Sequence, residues 1–318
     1  MATTANLTTT YAGQDSKLWV KAALLGGNTL SSGKITILPN VKYKTVLHRL
    51  LTDGLLKDAS CDFSATSTVT ITEKILTPKE LQVNLQLCKQ TLHSSWEAEE
   101  MGMSAHDVLP KSFSDYFIAY VIEKVASQME TAIWTGATGT SGSIDGFATQ
   151  LAVDAALPTA NEVAGTTVTA SNVITELGKI VDAIPSTLFG RDDLYLYVSQ
   201  NIAKAYVRAL GGFGASGLGA NGSDNKGTQW YSNMAELSFD GIKLFVANGL
   251  AANTAIATTT DNLFFATGLL NDENYVKVLD MSETDLSQNV RFAMRMTAAV
   301  GYHTVGDIVT YGIPNSAN

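Results

Sequence analysis

Three glycines in the second half of the chain have the spacing of a dinucleotide-binding loop. Gly217, Gly219 and Gly222 match the pattern G-x-G-x-x-G. That pattern holds a pyrophosphate only when a strand precedes the loop and a helix N-terminus follows it. Here a segment with helical periodicity precedes the loop, which belongs to a longer glycine-rich run from Gly211 to Gly227. We therefore interpret the run as a surface loop without a cofactor, and keep a nucleotide-binding enzyme as an alternative.

The potential metal ligands and nucleophiles do not form a recognisable site. The four histidines and two cysteines are His48, His93, His106, His303, Cys61 and Cys88. None of them forms the close pairs that zinc ligands usually form. The chain contains no G-x-S-x-G elbow, and the acidic group Glu97, Glu99 and Glu100 is typical of a solvated face. We expect no metal, no cofactor and no enzymatic activity.

Two arginines lie in the longest regular pattern of the sequence. From Gln288 to Thr304 apolar residues occupy every second position without a break, which predicts one β-strand of roughly 57 Å. Because an ordinary strand has about 5–6 residues, this pattern indicates a flat, elongated domain. Arg291 and Arg295 would share one face of the strand. They would lie in solvent, or form salt bridges with a neighbouring chain or with helix acids such as Glu123 or Glu130.

The remaining periodicities predict an α+β protein. Apolar residues at three- and four-residue steps predict a helix of about 36 Å from Ser112 to Thr135. Shorter elements follow between residues 141 and 270. They include a helix over 173–184, a strand over 194–198, a helix over 200–210, and a hairpin whose turn is Asp240-Gly241.

Two alternating segments before the long helix predict a two-stranded ribbon. Residues 66–72 and 81–88 would pair through a turn at 77–80, with Pro78 at its second position. An isolated ribbon is marginal in water, so its apolar row must pack on another surface, which no nearby segment supplies. The apolar residues of this row are Val69, Ile71, Leu81, Val83, Leu85 and Leu87.

The composition excludes some functions and favours an assembly. The net charge is −9, so the chain lacks the basic surface of a dedicated nucleic-acid binder, and contact with DNA would be loose. Charged residues make up only 16% of a chain that is 45% hydrophobic, as expected when partners cover much of the surface. No signal peptide and no apolar stretch near eighteen residues is present, so we expect neither secretion nor membrane insertion.

The order of these parts resembles the major capsid proteins of tailed double-stranded-DNA bacteriophages, which have the Hong Kong 97 fold. Two stretches carry the similarity, DNLFFATGLLNDENYVKVLDM at 261–281 and NVRFAMRMTAAVGYHTVGDIVTYG at 289–312, together with SIDGF at 143–147. The resemblance implies an N-arm over 1–45 and an extended E-loop over 46–104. It implies a peripheral domain over 105–140 and 271–303, and an axial α/β domain over 141–270 and 304–318.

The resemblance also implies a function. Subunits of this family form pentamers and hexamers that close into an icosahedral shell around double-stranded DNA. The arm and the ribbon would pack on neighbouring subunits, and the glycine-rich loop, with Gly211, Gly217, Gly219 and Gly222, would lie near the capsomer axis. The protein would assemble in the host cytoplasm and reside in the virion capsid, with portal, scaffold and decoration proteins as possible partners.

Two departures limit what the resemblance implies, and two further alternatives stay open. Because the arm begins directly at Met1, a separate scaffold or none is expected. Some relatives crosslink a ribbon lysine to an asparagine of a neighbouring subunit; Lys74 and Lys79 would lie near the ribbon tip, but no motif identifies an acceptor, so the sequence predicts nothing about a crosslink. An encapsulin-like shell with enzyme cargo would have a similar fold. A tail or baseplate protein could also be extended and rich in Thr and Gly, although the long helix would be harder to explain.

Overall fold

The computed structural model describes four stretches of the chain. These are residues 27–88 apart from 42, 53, 60 and 62–64, residues 111–210, residues 237–268, and residues 276–317 apart from 285. The glycine-rich run at 211–227, the first 26 residues of the predicted N-arm, His93, His106 and the acidic group at 97–100 lie outside the described residues.

The described residues contain five α-helices and thirteen β-strands. The helices are α1 (Asn28–Ser31), α2 (Lys111–Thr135), α3 (Phe147–Leu151), α4 (Val173–Asp182) and α5 (Gln200–Leu210). The first strands are β1 (Thr36–Leu38), β2 (Thr45–Thr52), β3 (Val69–Leu76), β4 (Lys79–Cys88), β5 (Glu162–Val163), β6 (Leu194–Val198) and β7 (Ser238–Phe239). The later strands are β8 (Ile242–Val246), β9 (Ala255–Thr259), β10 (Leu263–Thr267), β11 (Val276–Asp280), β12 (Asn289–Tyr302) and β13 (Val309–Tyr311).

The predicted long strand is confirmed as β12, which organises a five-stranded sheet. Its 14 residues would span about 48 Å. Residues 289–298 pair with β4, residues 290–294 with β11, and residues 298–302 with β10, in each case antiparallel. β1 adds to β10 in parallel. This sheet uses strands from 36–38, 79–88 and 263–267 as well as from the predicted peripheral segments.

The buried face of this sheet shares one hydrophobic core with the long helix. β12 alternates buried and exposed residues from Val290 to Met296, as its sequence predicts. The buried members Val290, Phe292 and Met294 belong to the same core cluster as Ile118, Val125, Met129 and Ile133 of α2. The predicted helix is therefore confirmed, and each element covers an apolar face that the other would leave in water.

A second sheet forms an α/β lobe, and its Tyr197 and Ile256 belong to the core of the long helix. Its six strands have the order β5-β13-β9-β6-β8-β7, and every residue of β6 is buried. α4 and α5 contribute to its core, which includes Leu177, Ile180 and Ile202. The predicted Asp240-Gly241 hairpin turn joins β7 to β8, and both turn residues have positive φ, at 46° and 82°.

The predicted pairing of the ribbon is wrong. β3 pairs with β2 over eight positions, from Leu76 opposite Thr45 to Val69 opposite Thr52. β4 instead pairs with β12 over ten positions. Thr77 and Pro78 therefore connect a strand of the ribbon to a strand of the five-stranded sheet and do not form a hairpin turn. The physical reason is that β12 offers β4 a long partner edge and an existing core, neither of which β3 could provide.

The long helix is fixed to the rest of the chain by close backbone contact and a buried carboxylate. Glu130, which is buried, accepts hydrogen bonds from the backbone N–H of Thr29 at 3.1 Å and from the Thr29 hydroxyl. The Trp134 indole N–H donates to the same hydroxyl oxygen at 2.8 Å. On another side of the helix, Gly249 lies directly against the backbone of Glu130 and Thr131. A side chain at Gly249 would leave no room for this contact.

Replacing Gly249 with alanine should destabilise the subunit by about 1–3 kcal/mol, because the new Cβ would collide with the Glu130 carbonyl oxygen. The matched control is Gly178→Ala, at a glycine inside α4 whose added Cβ would meet no atom within 4 Å. This control should be neutral or stabilise by about 0.5–1 kcal/mol. Urea unfolding of the unassembled subunit measures both; equal effects of the two substitutions would contradict the packing argument.

Candidate assembly surface

The ribbon of β2 and β3 exposes an apolar face. The register places Val46 opposite Ile75 and Leu50 opposite Ile71, so these side chains lie on one face with Val69. Their exposed fractions range from 39% for Val46 to 66% for Leu50. The same face carries His48 and Glu73, whose Nδ1 and Oε1 atoms lie 3.6 Å apart.

This face is suited to bind another protein surface. Five large apolar side chains lie together on a two-stranded ribbon, where no further strand covers them among the described residues. Burying one such side chain fully contributes about 1.5–3 kcal/mol. Grouped exposed apolar residues of this kind mark interaction sites more often than isolated ones do. We define these residues, Val46, Leu50, Val69, Ile71 and Ile75, as the ribbon face.

The structure separates the six apolar residues that the sequence grouped in one row. Val69 and Ile71 lie on the ribbon face, whereas the other four belong to β4, beside β12. Leu81 is only 7% exposed in the chain's own core, so its prediction as an intersubunit contact is wrong. Val83 and Leu87 are half-buried and pack on the same core. Leu85 is 41% exposed.

Sequence reasoning missed Val46, Leu50 and Ile75 as members of the ribbon face. In β2, TVLHRLLT, apolar residues occupy both parities, because Leu47 and Leu51 interrupt the alternation of Val46 and Leu50. The period-two pattern that marks a half-buried strand is therefore lost. A search for a strand partner of Val69–Leu76 could have found them, since β2 has the same length as β3.

A lysine, an aspartate and a tyrosine join the base of the ribbon to the body of the subunit. Lys74 of β3 donates from Nζ to Oδ2 of Asp154 at 3.1 Å, and its Nζ lies 3.2 Å from the centre of the Tyr302 ring. The hydroxyl of Tyr302, the last residue of β12, donates to the same Oδ2 at 2.5 Å. Asp154 also accepts at Oδ1 from the Ala156 N–H. We call Lys74, Asp154 and Tyr302 the base cluster.

The charges of the base cluster are paired and partly removed from water. Burial lowers the pKa of the Lys74 ammonium below its usual value, and the hydrogen bond and charge of Asp154 offset this only in part. Burial alone would raise the pKa of Asp154, but hydrogen bonds from Tyr302, Ala156 and Lys74 outweigh it, so this pKa lies below its usual value. Burial also raises the pKa of Tyr302, with its hydrogen bond to Asp154 acting in the same direction.

Other contacts at the base fix where the ribbon leaves the sheet. Leu76, at the end of β3, is buried with Ala266 and Ala299. Leu76 also lies so near Gly301 that a Cβ there would be 2.8 Å from its Cδ1. The Lys79 ammonium donates to the Ser143 carbonyl at 2.7 Å. The prediction that Lys74 and Lys79 lie near the ribbon tip is therefore wrong, because both lie where the ribbon joins the body.

Arg291 and Arg295 lie on the outer face of the five-stranded sheet, as their alternation predicts. Arg291 donates from Nε to Gln86 Oε1 at 3.1 Å, and Arg295 lies 3.7 Å from Glu80 in an exposed pair. Such pairs contribute only about 0–1 kcal/mol. The sheet separates the two arginines from the core shared with the long helix, and Glu130 is bonded to Thr29. Glu130 is therefore not their partner.

The described residues contain no arrangement typical of a metal site or a membrane span. No group of three or more His, Cys, Asp or Glu within them could hold a metal ion. None of the described helices is long and apolar enough to cross a membrane. His303 instead contacts the ribbon base, with Nε2 2.6 Å from the His48 carbonyl oxygen.

Solved capsid structures share this architecture over nearly the whole chain. A chain of the native GTA particle capsid is 15% identical, with a TM-score of 0.57 and coverage of 92% of this chain and 90% of that chain. A chain from Mycobacterium phage Adephagia is 13% identical, with a TM-score of 0.56 and coverage of 90% and 89%. This chain has a phage capsid fold. No protein-family model matches it, and no curated protein matches its sequence.

A third structure extends the comparison to a precursor shell. A chain of the satellite phage P4 procapsid, which includes the size determination protein Sid, is 10% identical, with a TM-score of 0.55. The match covers 94% of this chain and 99% of that chain. The resemblance to phage capsid proteins and the mixed α and β architecture are therefore confirmed. At identities of 10–15% these matches show the fold alone.

The unfolding free energy should fall in acid partly because of Asp154. Its pKa is lower in the folded state than in the unfolded chain, so its ionised form stabilises the fold above pH about 4. This contribution is lost as the pH falls through the folded-state pKa. The variant Asp154→Asn lacks this contribution at every pH, so the difference in unfolding free energy between wild type and variant should decrease from pH 7 to about pH 3. Urea unfolding of the subunit at several pH values measures this difference; a difference that stays constant with pH would contradict the stabilising role of the Asp154 carboxylate.

Proposed function

We propose that this protein is the major capsid protein of a tailed bacteriophage. Its subunits would form pentamers and hexamers that close into an icosahedral shell around double-stranded DNA, assembled in the host cytoplasm. The observation that carries the proposal is the phage capsid fold combined with a ribbon whose apolar face is exposed in the single subunit. The division into an N-arm, an E-loop, a peripheral domain and an axial domain belongs to the same proposal, with β1, β4 and β10 joining the sheet of β12.

The ribbon face would be buried on a neighbouring subunit. A shell subunit needs large contacts, and obligate interfaces bury about 2,000–5,000 Å². The five apolar side chains of the ribbon face offer the kind of surface that such contacts use, and in the single subunit much of their area remains in water. The stability of the protein would then depend largely on the shell, because partner binding shifts the folding equilibrium.

The outer sheet face would supply a second, polar contact. Among the described residues, the exposed side chains there include Arg291, Arg295 and Lys277 beside the acid Glu80. This face is locally basic in a chain of net charge −9, so the surface of a second subunit would be complementary to it. Loose contact of the shell with DNA, and binding of portal, scaffold or decoration proteins, belong to the same proposal, as does a position of the 211–227 glycine-rich loop near the capsomer axis.

Electron microscopy of the purified product tests the proposal. The protein is expressed in a bacterium, with a scaffolding protein supplied where assembly needs one. Closed particles are expected, and a product that stays monomeric under these conditions would overturn the proposal. The contents distinguish the two kinds of shell, since particles produced during infection should hold DNA and bear tails, whereas an encapsulin-like shell would hold cargo enzymes.

Replacing Ile71 with aspartate should leave the subunit folded but abolish closed particles, because the new charge would be buried without a partner at the interface. The matched control is Thr72→Asp, which adds the same charge to the next residue of β3, on the other face of the ribbon. Circular dichroism checks folding, and electron microscopy with sedimentation measures assembly. If Ile71→Asp assembles as well as Thr72→Asp does, the ribbon face is not an interface.

A further inference from the structure

We propose that the base cluster sets the angle at which the ribbon leaves the subunit, and that Lys74, Asp154 and Tyr302 are positioning residues for assembly. The inference rests on the proposed function, since it assigns to these residues the orientation of the surface that would contact a neighbour. It concerns residues that lie outside the ribbon face itself. Each comes from a different part of the subunit: Lys74 from the ribbon, Asp154 from the loop after α3, and Tyr302 from the end of β12.

The geometry connects three separate elements through one oxygen. Oδ2 of Asp154 accepts from both the Lys74 ammonium and the Tyr302 hydroxyl, at 3.1 Å and 2.5 Å. The ammonium also lies over the Tyr302 ring, at 3.2 Å from its centre. A cation held between a carboxylate and a ring face is restrained by two contacts that oppose different movements. A tilt of the ribbon would strain these contacts.

The base cluster is not an ordinary surface ion pair. The side chains of Lys74 and Asp154 are 35% and 22% exposed, whereas the Arg295–Glu80 pair is 59% and 63% exposed. Tyr302 is buried, at 1% exposure. Partial removal from water strengthens a hydrogen-bonded charge pair and makes the loss of one partner costly. The cluster therefore resists displacement more than the exposed pair does.

Small changes at the base have large effects at the far end of the ribbon. The eight residues of each strand extend about 24 Å from the base, so a tilt of about 10° would move the far end by about 4 Å. This displacement approaches the spacing between neighbouring strands, about 4.8 Å. Apolar surfaces pack only when they fit closely, so a shift of this size would separate the ribbon face from its partner surface.

The small residues around the base leave the cluster as a main restraint on this angle. Leu76 is buried with Val41, Ala266 and Ala299 and lies close to Gly301. Apolar contacts of this type are not directional. The His303 contact to the His48 carbonyl is a single hydrogen bond near the same point. Directional restraint thus comes chiefly from Lys74 and its two partners.

The test compares two chemically similar clusters in one protein. Glu176 accepts from the Tyr311 hydroxyl at 2.9 Å and from Lys179 at 2.8 Å, inside the α/β lobe and away from the ribbon. Lys74→Met removes the cation from the base cluster, and Lys179→Met removes the cation from the cluster of Glu176, Lys179 and Tyr311. Lys74→Arg retains the charge and a donor. Amide exchange of the unassembled subunit and electron microscopy of the assembled product are measured for all four proteins.

Lys74→Met should raise amide exchange several-fold over 45–52 and 69–76 and abolish closed particles or yield aberrant ones. Lys179→Met should assemble as the wild type does, and Lys74→Arg should restore a substantial fraction of closed particles. If Lys74→Met forms normal particles while the wild type also assembles, the positioning role is overturned and the proposed function stands. If the wild type itself forms no closed particles, the proposed function fails, and this inference fails with it.

Discussion

The pairing of β12 with three other strands is the interaction on which the rest of the structure depends. Residues 289–302 pair with β4, β10 and β11, and β10 in turn carries β1. The same strand supplies much of the core that covers the long helix and, through Tyr302, part of the base cluster. Because one strand makes all these contacts, a shift of its register by one residue would move its apolar side chains to the outer face. This shift would disrupt the core that the five-stranded sheet shares with the long helix.

The sequence predicted well the elements whose signal is local. Alternation from Gln288 to Thr304 predicts β12, and the three- and four-residue steps after Ser112 predict the long helix, both to within two residues at each end. The Asp240-Gly241 turn is specific because its residues tolerate positive φ. In each case one short stretch of sequence contains the whole physical reason.

The sequence predicted poorly the features that depend on which distant segment is the partner. Segments 66–72 and 81–88 both have strand patterns. Local periodicity does not show whether the two segments pair with each other or with the more distant strands β2 and β12. The error over Leu81 follows from this, since the same leucine is an interface residue in one pairing and a core residue in the other. The base cluster could not be predicted from the sequence either, because Lys74, Asp154 and Tyr302 are distant in sequence and form no motif.

The pairing of β4 with β12 has a consequence for biosynthesis. Paired residues of these strands are about 200 positions apart in the sequence, and contacts of such long range form slowly. At a synthesis rate of about 5–20 residues per second, β4 and the ribbon are synthesised tens of seconds before β12. Tyr302, which belongs to the base cluster, is the last residue of that strand. The five-stranded sheet and the base cluster can therefore be completed only when nearly the whole chain has been synthesised.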